Sequence, residues 1–144
     1  MKIEILEGFD NIEVIIKCPK ANEDIRKIES LIHGFDKKLP CFKNGVTKLI
    51  NKRDVLYFES VDKHCFLYTK DDVFETSLKL YEIEELLTDV GFFRSSKSQI
   101  LNLEKIDSLC PDFGGKIEAI MENGYQLIVS RQYAKILKEK VGLK

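Results

Sequence analysis

Apolar and polar residues alternate along most of this chain, and the period decides what each stretch can become. Near the start, Ile3 and Ile5, then Ile12, Val14 and Ile16, alternate with charged or polar neighbours, the period-two pattern of half-buried strands. Gly8-Phe9-Asp10-Asn11 separates them as a turn, and Pro19, which cannot donate to a ladder, closes the second strand. Asn22 then stands as a helix N-cap ahead of Glu23 and Asp24. Ile25, Ile28, Leu31, Ile32 and Phe35 follow at helical spacing, Gly34 lies near the helix end, and Pro40 closes the segment. Residues 1–40 therefore read as a small β-β-α extension, and residues 41–144 as a separate, mainly β domain.

Beyond Cys41 the pattern predicts short strands at Val46–Ile50, Val55–Glu59, Cys65–Thr69, Val73–Leu78 and Phe92–Ser95. Four more follow at Ile100–Leu103, Ile106–Leu109, Lys116–Met121 and Gln126–Val129. Asp71-Asp72 and Asn123-Gly124 are hairpin signals, the second suited to the positive φ angles of a type I′ turn. Strands at intervals of about ten residues indicate a barrel or sandwich rather than a βαβ array. Two helices interrupt them. One carries Leu80, Ile83, Leu86, Leu87 and Val90 on one face between an N-cap at Ser77 and Gly91. The other starts at Ser130, with Tyr133, Ile136, Leu137 and Val141 on one side.

Composition narrows the class. Of the 144 residues, 44% are hydrophobic and 33% charged, the balance of a globular protein. No apolar run approaches the roughly 20 residues of a membrane span, and the N-terminus has no signal-peptide core, so the chain reads as cytoplasmic. The four cysteines (Cys18, Cys41, Cys65, Cys110) offer no short-spaced pair for zinc and read as reduced, partly buried small residues. His64 and Cys65 are adjacent, but neighbours in a strand point to opposite faces and cannot form a dyad. With no nucleophile beside a base and no cofactor motif, an enzyme is not expected, and neither is a cofactor or metal.

Net charge is −1, which by itself argues against nucleic acid. Counted by segment, the balance changes: residues 91–144 hold nine Lys and Arg against six Asp and Glu, a net of +3. Three clusters stand out: Asp62-Lys63-His64 in a turn, Arg94-Ser95-Ser96-Lys97-Ser98, and Ser130-Arg131-Gln132 at the mouth of the last helix with Lys135 one turn on. Serine hydroxyls and free N–H groups at a helix start suit phosphate oxygens, while Arg, Lys and Gln can address base edges. By themselves, Lys97 and Arg131 read more simply as solvated turn residues and Ser130 as a plain cap, since basic residues in turns are common.

The run from Phe92-Phe93-Arg94-Ser95-Ser96-Lys97-Ser98 through Gln99-Ile100-Leu101-Asn102 to Ile106 resembles the signature of the LytTR DNA-binding domain family. Asn123-Gly124, a strand, and Ser130-Arg131-Gln132-Tyr133 resemble its second signature, and Asp54–Ser60 its opening strand. The three blocks occur in order across about residues 43–141. The resemblance implies an elongated all-β domain with short helices that contacts double-stranded DNA through connections between strands. It also implies a bacterial transcription regulator acting as a homodimer on paired promoter repeats.

Residue by residue, it implies base or phosphate contacts from Lys97 and Arg131 and a third contact from the turn carrying Lys63 and His64. Arg94, Ser96, Ser98, Gln132 and Lys135 would be neighbours of the DNA backbone, while Asn102 reads as structural. Ser96 stands where the family usually has His, Gln99 where it has an aromatic, and Gln132 where a second Arg is common. The alternative is a protein-interaction or antirepressor module that keeps the fold without binding DNA. Forty residues are too few for a receiver domain, so the input would come from an unknown regulatory protein, a ligand or expression level. Their excess of apolar residues suggests a lid or a dimer contact.

Overall fold

The computed structural model describes residues 1–34, 38–87 and 91–142. Helix α1 (Glu23–Gly34) precedes strands β1 (Lys38–Lys43), β2 (Val46–Asn51), β3 (Val55–Val61), β4 (His64–Thr69) and β5 (Val73–Thr76). Helix α2 (Leu80–Leu87) leads into β6 (Phe92–Arg94) and β7 (Gln99–Asn102). Then come β8 (Ile106–Pro111), β9 (Ile117–Met121), β10 (Gln126–Val129) and helix α3 (Arg131–Lys140). The strands form two antiparallel sheets, one of seven in the order β2-β1-β5-β4-β3-β7-β6 and one of three in the order β10-β9-β8.

The central strands of the large sheet are covered on both faces, whereas β2 at its edge is largely exposed, and the alternation of the central strands shows how. Phe58 and Ile100 point into a core closed by Leu80, Ile83 and Leu87 of α2. Tyr57 and Leu101 point the other way, toward Ile117, Ala119, Met121 and Val129 of the small sheet and Ala134 and Leu137 of α3. Leu56 joins Tyr57 in this second core although the two are consecutive, because a register shift between Val55 and Tyr57 interrupts the alternation. Tyr57 stacks on Tyr68 with ring centroids 4.2 Å apart, and Tyr125, from the turn before β10, sets its edge against both at 6.0 Å. Burial, with these neighbouring rings, pushes the Tyr57 phenol well above its usual range.

Two links between strands use one device. Asn51 Oδ1 accepts the Arg53 N–H (3.0 Å) and caps the 3₁₀ turn Lys52–Asp54 before β3. Asn102 Oδ1 accepts the Glu104 N–H (3.1 Å) and caps Leu103–Lys105 before β8. The buried Asn102 also donates from Nδ2 to the Val55 carbonyl at 2.8 Å, so its reading as structural is correct.

Several sequence expectations need correction. Lys38–Lys43 is a strand, six residues in register with β2, rather than a helix tail ending at Pro40; the sheet begins three residues before the anticipated boundary. Buried Leu39 and Cys41 hold it in place, and Pro40 contributes its carbonyl to the Thr76 hydroxyl (3.3 Å). Residues 1–22 form no strand, because a two-stranded unit with no apolar surface to cover it is marginal in water. α1 is as expected, with Asn22 Oδ1 accepting the Ile25 N–H (3.0 Å). Its Phe35, like Val90 of the second helix, lies outside the described residues.

Helix α2 starts at Leu80 rather than beside Ser77: Thr76 Oγ1 accepts the Leu78 N–H, and Glu82 reaches back to the Lys79 N–H at 3.2 Å. On α3 the buried positions are Ala134 and Leu137, whereas Ile136 and Val141 are exposed. Asn123-Gly124 is not a type I′ turn, since only Gly124 has positive φ (87°) and its N–H bonds the Met121 carbonyl in a longer loop. The Asn44-Gly45 pair, with φ of 51° and 77°, takes that form instead, between β1 and β2. Of the cysteines, Cys41 and Cys65 are buried and Cys18 and Cys110 exposed.

Candidate nucleic-acid interface

Two short connections from different sheets meet at one end of the molecule. The loop 95–98 joins β6 to β7 in the large sheet, and Ser130 joins β10 of the small sheet to α3. The Ser130 N–H donates to the Ser95 carbonyl at 3.1 Å, binding the two connections backbone to backbone. Ser95 is fully buried, and its own N–H donates to the Gln99 carbonyl at 3.0 Å. Phe93 and Tyr133 pack edge to face beneath this junction, centroids 6.4 Å apart.

Around the junction opens a cleft of about 660 Å³. Its walls carry Ser96, Lys97 and Ser98 from one connection, Ser130 from the other, and Arg131, Gln132, Tyr133 and Lys135 from the first turns of α3. Six of the nine residues expected from sequence are thus gathered in one concavity rich in hydroxyls and cations. Ser130 is the N-cap of α3 in extended conformation with no side-chain bond to the helix, so its hydroxyl is not committed to capping. Arg131 is the first residue of the helix rather than part of a strand connection. The helix start lends its positive end to the cleft, a feature that favours anionic oxygens there.

Two details show how the loops are held. Ser96 Oγ accepts the Ser98 N–H (3.2 Å) in a tight serine turn, which lifts Lys97 to the tip. Arg94 sits behind the loop: Nε donates to the Ser96 carbonyl (2.7 Å), one terminal nitrogen to the Lys97 carbonyl (2.6 Å), and the other to Glu84 of α2 (2.8 Å). Expected as a neighbour of the DNA backbone, Arg94 instead forms a strut with its donors turned inward. Sequence reading had no signal for this, since Glu84 lies ten residues away on a different element.

The Arg131 stem has a support that sequence reading also missed. Gly115, in the turn Phe113–Gly115 between β8 and β9, lies so close that an added Cβ would stand 3.1 Å from Arg131 Cγ. The Gly114-Gly115 pair, both at positive φ, was the available signal.

Lys63 and His64 do not line the cleft. They belong to the β3–β4 hairpin, which adjoins it through the Ser60 N–H and the Ser98 carbonyl (2.8 Å). Asp62 and Lys63 both adopt positive φ (49° and 68°), and the exposed His64 Nδ1 lies 3.0 Å from Glu75 Oε1. Cys65 beside it is buried, so the two side chains diverge as expected. Gln99, in the place of the family's aromatic, donates to Glu59 on the neighbouring strand at 2.9 Å, which satisfies its amide. No group of three His, Cys, Asp or Glu suited to a metal occurs among the described residues, and no described helix is long and apolar enough to cross a membrane.

Comparison with known proteins agrees with this geometry. Residues 45–142 match the model of the LytTr DNA-binding domain. An uncharacterised HTH-type transcriptional regulator of Staphylococcus aureus strain NCTC 8325 / PS 47 is 29% identical over 147 residues, covering 99% of each chain. Its counterpart in strain MSSA476 is 30% identical with the same coverage. Among solved structures, a LytTr DNA-binding domain from Bacillus cereus superposes with a TM-score of 0.71 at 24% identity, covering 74% of this chain and 98% of that one. These likenesses mark a DNA-binding regulator rather than an enzyme. The chain belongs to the LytTR DNA-binding domain family.

Proposed function

We propose that this regulator recognises specific sequences in duplex DNA, presenting the Lys97 loop and the start of α3 to the DNA. The observation that carries this reading is the backbone bond from Ser130 to Ser95, which puts Lys97 and Arg131 on walls of one cleft although they come from different sheets. Arg131 and Lys97 supply forks and point charges for base acceptors and phosphates, Gln132 a bidentate partner for adenine, and Ser96, Ser98 and Ser130 hydroxyls for phosphate oxygens. The hairpin tip with Lys63 extends the same surface. The protein acts in the cytoplasm, as a homodimer on repeated promoter sites, and its input is a regulatory protein or ligand.

The test is titration of the DNA footprinted upstream of its own gene. Arg131→Ala should cost about 1–3 kcal/mol on the cognate site and far less on unrelated DNA if Arg131 reads a base. Lys97→Ala should weaken both and reduce the salt dependence by about one unit if Lys97 contacts a phosphate. Wild-type affinity for both variants would exclude this surface and favour a module that keeps the fold without binding DNA.

A further inference from the structure

Residues 1–22 are exposed throughout, although they carry Ile3, Ile5, Phe9, Ile12, Val14 and Ile15 among their apolar side chains. Ile12 is 98% exposed and Ile3 84%, so both lie almost wholly open, whereas Ile16 is 37% exposed. Helix α1 continues the pattern: Ile25 and Ile28 are partly covered, whereas Leu31 and Ile32 on the same face are exposed. This amphipathic segment of 34 residues has been given no partner by the body that follows it. None of its residues lines the cleft.

Chains below about 40 residues hold a fold only with a metal, disulfides or an oligomeric partner. The described residues offer no metal cluster, and Cys18 is the only cysteine of the segment. We propose that residues 1–34 pair with the same segment of a second copy of this chain, as a dimerisation module separate from the DNA-reading surface.

The sequence is self-complementary for such pairing. Antiparallel alignment of residues 12–16 about a two-fold axis at Val14 places Ile12 of one copy opposite Ile16 of the other and Val14 opposite itself, a continuous apolar face. On pairing, the two alternating stretches of each copy, which form no strand in the single chain, would supply four strands with two helices to cover that face, enough for independent stability where one hairpin is not. The segment also has the extent of a standard interface, about 20–30 residues a side. Its own chain's free edge, β2, is exposed at Val46 and Leu49, yet the segment makes no ladder with it. The S. aureus relatives align over 99% of this chain, so they share the segment.

Sedimentation of the full chain tests this, with hydrogen exchange of residues 3–16 as a second readout. The wild type should sediment at twice the 16.7 kDa chain mass with these amides protected. Val14→Lys with Ile16→Lys should sediment as a monomer with the amides unprotected, while keeping wild-type affinity for a single DNA half-site. A wild type that stays monomeric at every concentration overturns the proposal. Protected amides in such a monomer would identify its own β2 edge as the occupant. A dimer that survives the double substitution also overturns it. Loss of all DNA binding by an intact dimer would overturn the proposed function and leave this inference standing.

Discussion

Arg94 illustrates how far a residue's role can lie from what its type suggests. Its three bonds to Ser96, Lys97 and Glu84 fix the loop from behind, and its side chain is only 22% exposed. Arg94→Ala should lower stability by about 1.5–3 kcal/mol, the range for a hydrogen bond involving a charged group. It should also weaken DNA binding while leaving the salt slope at its wild-type value, because no phosphate contact is lost. Urea unfolding and DNA titration at several salt concentrations measure both. A slope reduced by about one with stability unchanged would put Arg94 on the DNA after all. Asn102 is the converse case: a polar residue at the end of a predicted strand has few uses other than capping the next turn, and it was legible as structural. Arg94 was not, because the acceptors that claim it are two backbone carbonyls and a carboxylate brought there by tertiary folding.

At the level of elements, hairpins carry the instructive differences. Lys63 holds a left-handed conformation at φ 68° in a β3–β4 turn that has no glycine. For a side chain with a Cβ this costs roughly 1–2 kcal/mol. Lys63→Gly should therefore raise the thermal midpoint, with a gain of up to about 1 kcal/mol after glycine's extra chain entropy. The same variant should reduce the salt slope of DNA binding by about one. A variant less stable than the wild type would show that the turn is not under this strain. Nine strands were legible because turn signals bound them and most bury one face more than the other, as β4, β9 and β10 do. β1 was missed because its proline reads as a breaker, and only the pairing with β2 reveals that the strand accommodates it. The first two strands were expected on the same alternation that worked elsewhere, but period two specifies a face, not the surface that will cover it.

For the whole molecule, one core holds both buried thiols, Cys41 and Cys65. Cys65 is buried in the core under α2, which pushes its pKa from 9.0 to about 11, and burial raises Cys41 as well. Both thiols are protonated when folded and ionise more readily when the chain unfolds. Their contribution to stability is thus full below pH 9 and declines as pH rises toward 11. Urea unfolding across this interval should show the loss, and Cys65→Ala should reduce its steepness; an identical profile for the two proteins would contradict the assignment. At neutral pH a thiol reagent should modify Cys18 and Cys110 readily and reach the other two only on unfolding. The net charge of −1 was a poor guide at this scale, because the cations of the cleft come from the last third of the chain while the acidic excess lies before it.

The bond between Ser130 and Ser95 uses main-chain atoms alone, so neither side chain makes it, and proline at 130 would remove its donor. If DNA is read as proposed, it acts as a ruler that no side chain writes: the spacing between the two contact groups is held by the scaffold, while the letters they would recognise are set by what stands at 96, 97, 131 and 132. Departures such as Ser96 and Gln132 can then change which operator is preferred without re-cutting the gauge against which the helical repeat of DNA is measured. A lineage of such regulators is free to drift in target sequence while keeping one pitch.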